Sequence, residues 1–249
     1  MLSLTRFGNW QAGHMSLLEV IALHAADAER AEAGGADRLE LVGTMDDDGL
    51  SPEPRVVDKV RRATTIHLRP MVRLRAGFGT DGGEVTRLKG LIAAYRDAGA
   101  DGVVLGFLNG ANRVDLEVLT ELVGDGSLPW TFHRAIDHCL DADRAWRDVR
   151  TLPGLSQVLT AGSVRGVDQG LDDLLRRAKA DDGVARLIMA GGGLKPEHVP
   201  WLVRAGVRAF HIGSPARPGG SFKAYVDAEL VESWRDLLDT EVAHARKPH

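Results

Sequence analysis

Glu19, Glu40, Arg69, His133 and His211 each sit inside a short apolar run that reads as a buried strand. A charged group there is costly unless it is paired or put to use. The densest case is "PWTFHRAID", residues 129–137, which sets His133, Arg134 and Asp137 within five positions. Carboxylate, imidazole and guanidinium together are the parts of proton-transfer chemistry: a base, an acid and a clamp for an anionic or hydroxylated substrate. Glu40 or His133 would serve as the base and Arg69 or Arg134 as the clamp, and Asp137 completes the catalytic candidates. The structural alternative is a Glu40–Arg69 bridge inside the fold and an Arg134–Asp137 bridge at the strand end, since buried charges must pair somewhere. A divalent cation held by Glu19, Glu40 and His133 is a variant of the catalytic reading.

The elements that must position these groups alternate short β-branched or leucine-rich runs with longer segments of helical period, the βαβα pattern of a parallel sheet. The strand candidates are residues 17–22, 38–42, 66–72, 102–106, 130–135, 157–161, 186–190 and 209–213. Helix candidates lie between them at 25–33, 54–63, 83–98, 115–123, 142–152, 166–180 and 196–205. "EAGGADRLEL", "DAGADGVVLG" and "RAGVRAFHIG" repeat one local theme, a helix end, a glycine and then a strand. With 249 residues and no linker or shift in composition, this predicts an α/β fold of one domain, a single (β/α)8 TIM barrel. The expected boundaries are an N-terminal arm at 1–16, the barrel at 17–240 and a tail at 241–249.

In such a barrel the site lies at the carboxyl ends of the strands. Alternation along "WTFHRA" sends Thr131 and His133 inward and Trp130 and Phe132 outward; in "AFHIG" it sends His211 inward. Long glycine-rich loops follow Glu40 and Arg69, as expected of segments that cover a pocket. Strands seven and eight run into "AGGGLKPEH" and "HIGSPARPGGS", the corner where barrels of this kind hold phosphate. The substrate-binding candidates are therefore Glu19, Arg134, Thr160, Gly191, Gly192, Gly193, His211 and Ser214. The "DDD" at 46–48 reads as a solvated loop.

Composition narrows the partners. A net charge of −4 and a pI near 6.1 lack the basic excess of a nucleic-acid or anionic-membrane binder. No run has the length of a membrane span, and the first residues carry no continuous apolar leader. Cys139 is the sole cysteine, which excludes an intrachain disulfide and a thiolate-rich metal centre and suits a reducing cytoplasm. There is no G-x-S-x-G elbow, no Walker or dinucleotide fingerprint and no H-E-x-x-H.

Several blocks resemble the CutC family: "LEVIA" at 18–22, "AGGADRLELV" at 33–42, "LRPM" at 68–71, "GADGVVLGFL" at 99–108, "TFHRAID" at 131–137, "VLTAG" at 158–162, "IMAGGGLKPEHV" at 188–199 and "FHIGS" at 210–214. The resemblance implies a cytoplasmic barrel, assembled as a homo-oligomer (a dimer or tetramer), linked by name to copper homeostasis and to Cu(I) binding. The copper ligands it implies are cysteines at the ends of the first two strands, where this chain has Ile21 and Val42. Cu(I) prefers soft sulfur ligands, and the chain offers Cys139, with Met45, Met71 and Met189 near strand ends. Two functions follow: a copper-handling protein, or a lyase, isomerase or hydrolase acting on a small polar, phosphorylated or sugar-like metabolite.

Overall fold

The computed structural model describes residues 15–246, so most of the expected arm at 1–16 and the last three residues lie outside the description. Eight parallel strands form one sheet: β1 (Leu17–Ala22), β2 (Arg38–Leu41), β3 (His67–Pro70), β4 (Val103–Leu105), β5 (Trp130–Phe132), β6 (Leu155–Thr160), β7 (Ile188–Ala190) and β8 (Ala209–Ile212). Their order is β3-β2-β1-β8-β7-β6-β5-β4. A parallel bridge between Met71 and Val104, with the Val72 amide donating to Val104 O at 2.8 Å, brings the two ends together. The result is the single (β/α)8 TIM barrel expected from the repeat.

The helices are α1 (Ala25–Ala33), α2 (Pro54–Ala63), α3 (Gly82–Asp97), α4 (Leu116–Val123), α5 (Ala142–Val149), α6 (Val167–Ala180), α7 (Asp182–Leu187), α8 (Val199–Arg204) and α9 (Ala228–Ala245). Side-chain caps start several of them: Asp81 for α3, Asp115 for α4, Asp141 for α5 and Asp227 for α9 each accept backbone amides of the first turn. Most expected elements recur within a few residues, with three corrections. The strand expected at 186–190 begins only at Ile188, because Asp181 caps a short helix, α7, through the Gly183 and Val184 amides. The strand expected at 130–135 stops at Phe132, where the chain turns into a 3-10 segment, Arg134–His138. The last helix runs past residue 240 to Ala245 and buries Val242, so the start of the expected tail is helical.

The main core lies between sheet and helices, with Leu18, Val20, Leu39, Leu68, Leu105, Phe132, Val158, Ile188 and Phe210 all in the outer cluster. The barrel interior is different. Leu17, Leu159, Met189 and Ala209 form one small apolar cluster, and Ile21, Val42, Met71 and Val104 form another. On β1 the period of two places Glu19 between Leu17 and Ile21, so a polar belt separates the two apolar clusters.

Candidate active site

Register explains how the belt assembles. Glu19 on β1 is the direct strand partner of Arg38 on β2 and of His211 on β8. Both neighbours grip it: Arg38 Nε donates to Glu19 Oε2 at 2.5 Å, and His211 Nδ1 lies 2.8 Å from Oε1. Arg38 also donates to Gln157 Oε1 at 2.9 Å. His211 turns its other nitrogen to Glu40, with Nε2 and Oε2 3.5 Å apart. Burial alone would raise the Glu19 carboxyl, but Arg38 and then His211 hold it down at about 2. Burial pushes Glu40 up to about 7, with His211 pulling the other way and Glu19 adding to the rise. For His211, burial opposes the charged ring, yet the Glu19 hydrogen bond and the two carboxylates raise its pKa. The three groups thus share a proton supply in which Glu40 changes state near neutrality.

Glu40 and His211 open into a cavity of about 390 Å³ at the carboxyl ends of the strands, within the size range of metabolite sites. Arg73, His133, Arg134, His138, Gly192, Gly193 and Ser214 also line it, with Met45, Met71, Phe78 and Phe222 as apolar wall. Arg73 is held by the Gly77, Asp47 and Gly49 carbonyls, with the carboxylates of Asp48, which also lines the cavity, and Asp47 acting on its charge from nearby. The backbone amides of Gly192, Gly193 and Leu194 have no acceptor among the described residues. Gly192 has φ +86°, and a Cβ there would meet the Arg134 guanidinium at 2.7 Å. Only glycine lets the loop pass so close to that side chain.

His133 is 4% exposed and caps the 3-10 segment, its Nδ1 accepting the Ala135 amide at 3.1 Å. Room for the ring comes from Gly106, whose absent Cβ would lie 2.7 Å from that nitrogen. His133 Nε2 is buried and has no partner among the described residues. Leaving such a group unsatisfied costs about 1–3 kcal/mol.

The cavity therefore collects Glu40, His133, Arg134, Gly192, Gly193, His211 and Ser214 from the sequence candidates, and leaves out the others. Arg69 donates to Thr131 Oγ1 and Ser156 Oγ at 2.7 and 2.6 Å inside the barrel. Although Arg69 and Glu40 are strand partners, no ion pair joins them among the described residues, so the expected Glu40–Arg69 bridge gives way to Glu40–His211. Asp137 is consumed structurally: Arg134 Nε, the Ala161 amide and Thr160 Oγ1 occupy its oxygens at 2.9, 3.0 and 2.5 Å. The Arg134–Asp137 bridge anticipated as the structural alternative is present. Thr160 is tied up in the same knot, and Gly191 donates to the Thr160 carbonyl at 3.1 Å. Glu19 lies beneath the cavity rather than on its wall. The cation set of Glu19, Glu40 and His133 is not the one that converges; Glu19, Glu40 and His211 have donor atoms within 4.8 Å of one another. Arg38 and His211 already occupy both Glu19 oxygens there, so the trio fits a shared proton better than a cation.

Arg38, Arg73, His138 and Asp48 escaped the sequence reading; Asp48, from the "DDD" read as a solvated loop, lines the cavity. Arg38 is the first residue of β2, and Arg73 falls beyond the end of β3. The alternation Arg69, Met71, Arg73 was the available signal for the latter.

Fold and cavity define a class: a (β/α)8 barrel with a polar pocket of metabolite size at the carboxyl ends of its strands. The chain belongs to the CutC family, whose model matches residues 16–215. A CutC family protein of Klebsiella pneumoniae is 34% identical over 226 residues, covering 86% of this chain and 90% of the relative. One from Yersinia pseudotuberculosis is 32% identical over 243 residues, covering 94% and 95%. A crystal structure of CutC from Streptococcus agalactiae, whose name refers to copper homeostasis, superposes with a TM-score of 0.72 at 25% identity, over 80% of this chain and 98% of that one. Among the described residues no helix is long and apolar enough to cross a membrane.

Proposed function

We propose that this barrel is an acid–base enzyme, a lyase, isomerase or hydrolase of a small anionic metabolite bound at the carboxyl-end mouth. One observation carries the reading: Glu40 lines the cavity with the His211–Glu19–Arg38 chain behind it, a burial that pushes its pKa up to about 7. A group that titrates near working pH transfers protons in both directions at least cost. Arg73 and Arg134 line the mouth and each keeps N–H groups beyond those spent on its protein partners, and the Gly192 and Gly193 amides, with no acceptor among the described residues, suit a phosphate or carboxylate. A reducing cytoplasm is the compartment that suits a chain with one cysteine.

A copper-handling role is the second reading, favoured by the family's name and by Met45 and Met71 on the cavity wall beside three histidines. The thiolate site implied for the family does not fit this chain. Ile21 and Val42 stand at the expected positions, and the Cys139 thiol lies outside the cavity, pushed up to about 11 by burial and then by Asp137 and Asp148. The test is a cell-metabolite extract incubated with wild type or Glu40→Gln and compared by mass spectrometry. Consumption that needs Glu40 supports the enzyme. No consumption, together with tight anaerobic Cu(I) uptake, supports the copper reading instead.

A further inference from the structure

The acid–base reading leaves His133 without a role, yet its ring is the most sharply specified group in the cavity. The Ala135 amide donates to Nδ1, so Nδ1 carries no proton, and in a neutral ring the proton resides on Nε2. Burial and then the Arg73 charge, with a smaller contribution from His138, push the ring down to about 3, so it stays neutral under ordinary conditions. Nε2 is thus an N–H donor with no acceptor among the described residues. The ring packs against Phe78, with centroids 5.5 Å apart, and against Phe132 at 6.1 Å. Phe78, Arg73 and His138 line the same cavity as His133 and Glu40. Buried donors of this kind are rare in folded proteins and call for an acceptor. The ring lines the cavity while its Nε2 edge is closed off in the unliganded protein, so a cavity ligand serves as the acceptor once the ring turns slightly toward it.

We infer that the cavity takes a small carbonyl compound bearing an acidic C–H beside its C=O, whose oxygen accepts the His133 Nε2–H while Glu40 removes the proton. This deepens the acid–base reading and rests on it. In the step, an oxygen of ionised Glu40 forms a bond to the hydrogen, and the C–H electron pair becomes the new C=C bond. The C=O π pair moves onto oxygen, giving an enolate whose charge faces the Nε2–H. Returning the proton to the same carbon regenerates Glu40 and leaves an exchanged substrate; where that carbon bears a hydroxyl, passage of the hydroxyl proton to the enolate oxygen gives the isomeric enediolate, which takes the proton from Glu40 on the former carbonyl carbon and leaves the isomer. No oxidant or reductant is needed. A neutral imidazole suits this duty because it donates a hydrogen bond to the developing oxyanion, and such preorganised donors act most strongly in a buried site.

The test uses the full chain and a defined mixture of aldoses, ketoses and 2-oxo acids, free and phosphorylated, in deuterated water. Wild type is expected to place deuterium on carbon in at least one component. His133→Ala should slow uptake by about 100-fold or more, His133→Gln, which keeps an N–H donor, should restore part of it, and Glu40→Gln should abolish it. On wild-type protein, nitrogen-15 NMR should show Nε2 of His133 protonated and Nδ1 unprotonated from pH 5 to 9. A ring that titrates in that interval, labelling unaffected by His133→Ala, or no labelling of any component overturns the inference. Glu40-dependent consumption of another metabolite without carbon-bound exchange would remove the carbonyl assignment and leave the acid–base reading standing. Absence of both would remove the two together.

Discussion

Replacing Glu40 by Gln should make the protein more stable, and increasingly so as pH rises. The ordinary carboxyl pKa of 4.5 becomes about 7 in the fold. Between those values the native protein retains a proton that the unfolded chain has released, so wild-type stability falls as pH rises through the window. At 1.36 kcal/mol per pKa unit, the loss is about 3 kcal/mol, complete by about pH 8. Gln keeps the shape of the protonated acid and cannot ionise. The two proteins should therefore match near pH 4, and Glu40→Gln should lead by up to about 3 kcal/mol at pH 8. That figure is a ceiling, because ionised Glu40 also helps to hold charge on His211. His211 and His133 contribute slopes of their own, His211 losing stability as pH rises above 6.5 and His133 gaining it between about 3 and 6.5. Subtracting the variant's curve from the wild type's removes the His133 slope and the part of the His211 slope that does not depend on Glu40. Urea unfolding followed by circular dichroism at half-unit pH steps measures the difference. A gap that does not change between pH 4 and 8, or a variant less stable at pH 8, refutes the assignment.

Three further outcomes follow from the geometry. Asp27 is fully buried and accepts from the Leu23 and Val226 amides and from Arg217, so Asp27→Ala should cost about 3–5 kcal/mol in urea unfolding by stranding a buried guanidinium. Gly192→Ala combines a positive φ with a collision on Arg134 and should lower both melting temperature and turnover, while Gly110→Ala, with open space around it, should be silent; equal effects would argue against the described loop. The Cys139 thiol should react slowly with iodoacetamide at pH 7.5 in the native state and rapidly in urea, since burial raises its pKa to about 11.

Strands buried on both faces write themselves as apolar runs, and the βα repeat carried the barrel, so the polar residues breaking those runs pointed to the mouth. Glu40, His133 and His211 were legible for that reason. What linear sequence could not convey was direction within the barrel. Arg69 and Glu40 are strand partners, yet Arg69 turns to Thr131 and Ser156 while Glu40 turns to His211. Asp137 shares a motif with His133 but is spent on Arg134, Thr160 and Ala161, contacts that exist only once β6 lies beside the 3-10 segment. The short helix α7 was hidden because "LIMA" runs on as one apolar stretch from the helix end at Leu187 into the strand, and the Asp181 cap is what starts the helix.

The central claim, that Glu40 moves protons at this mouth, is tested most directly by the pH dependence of whatever turnover the metabolite pool reveals. The rate should rise as Glu40 ionises, through a midpoint near pH 7, and vanish in Glu40→Gln. A rate that is flat from pH 5 to 9, or that survives the substitution, would contradict the account.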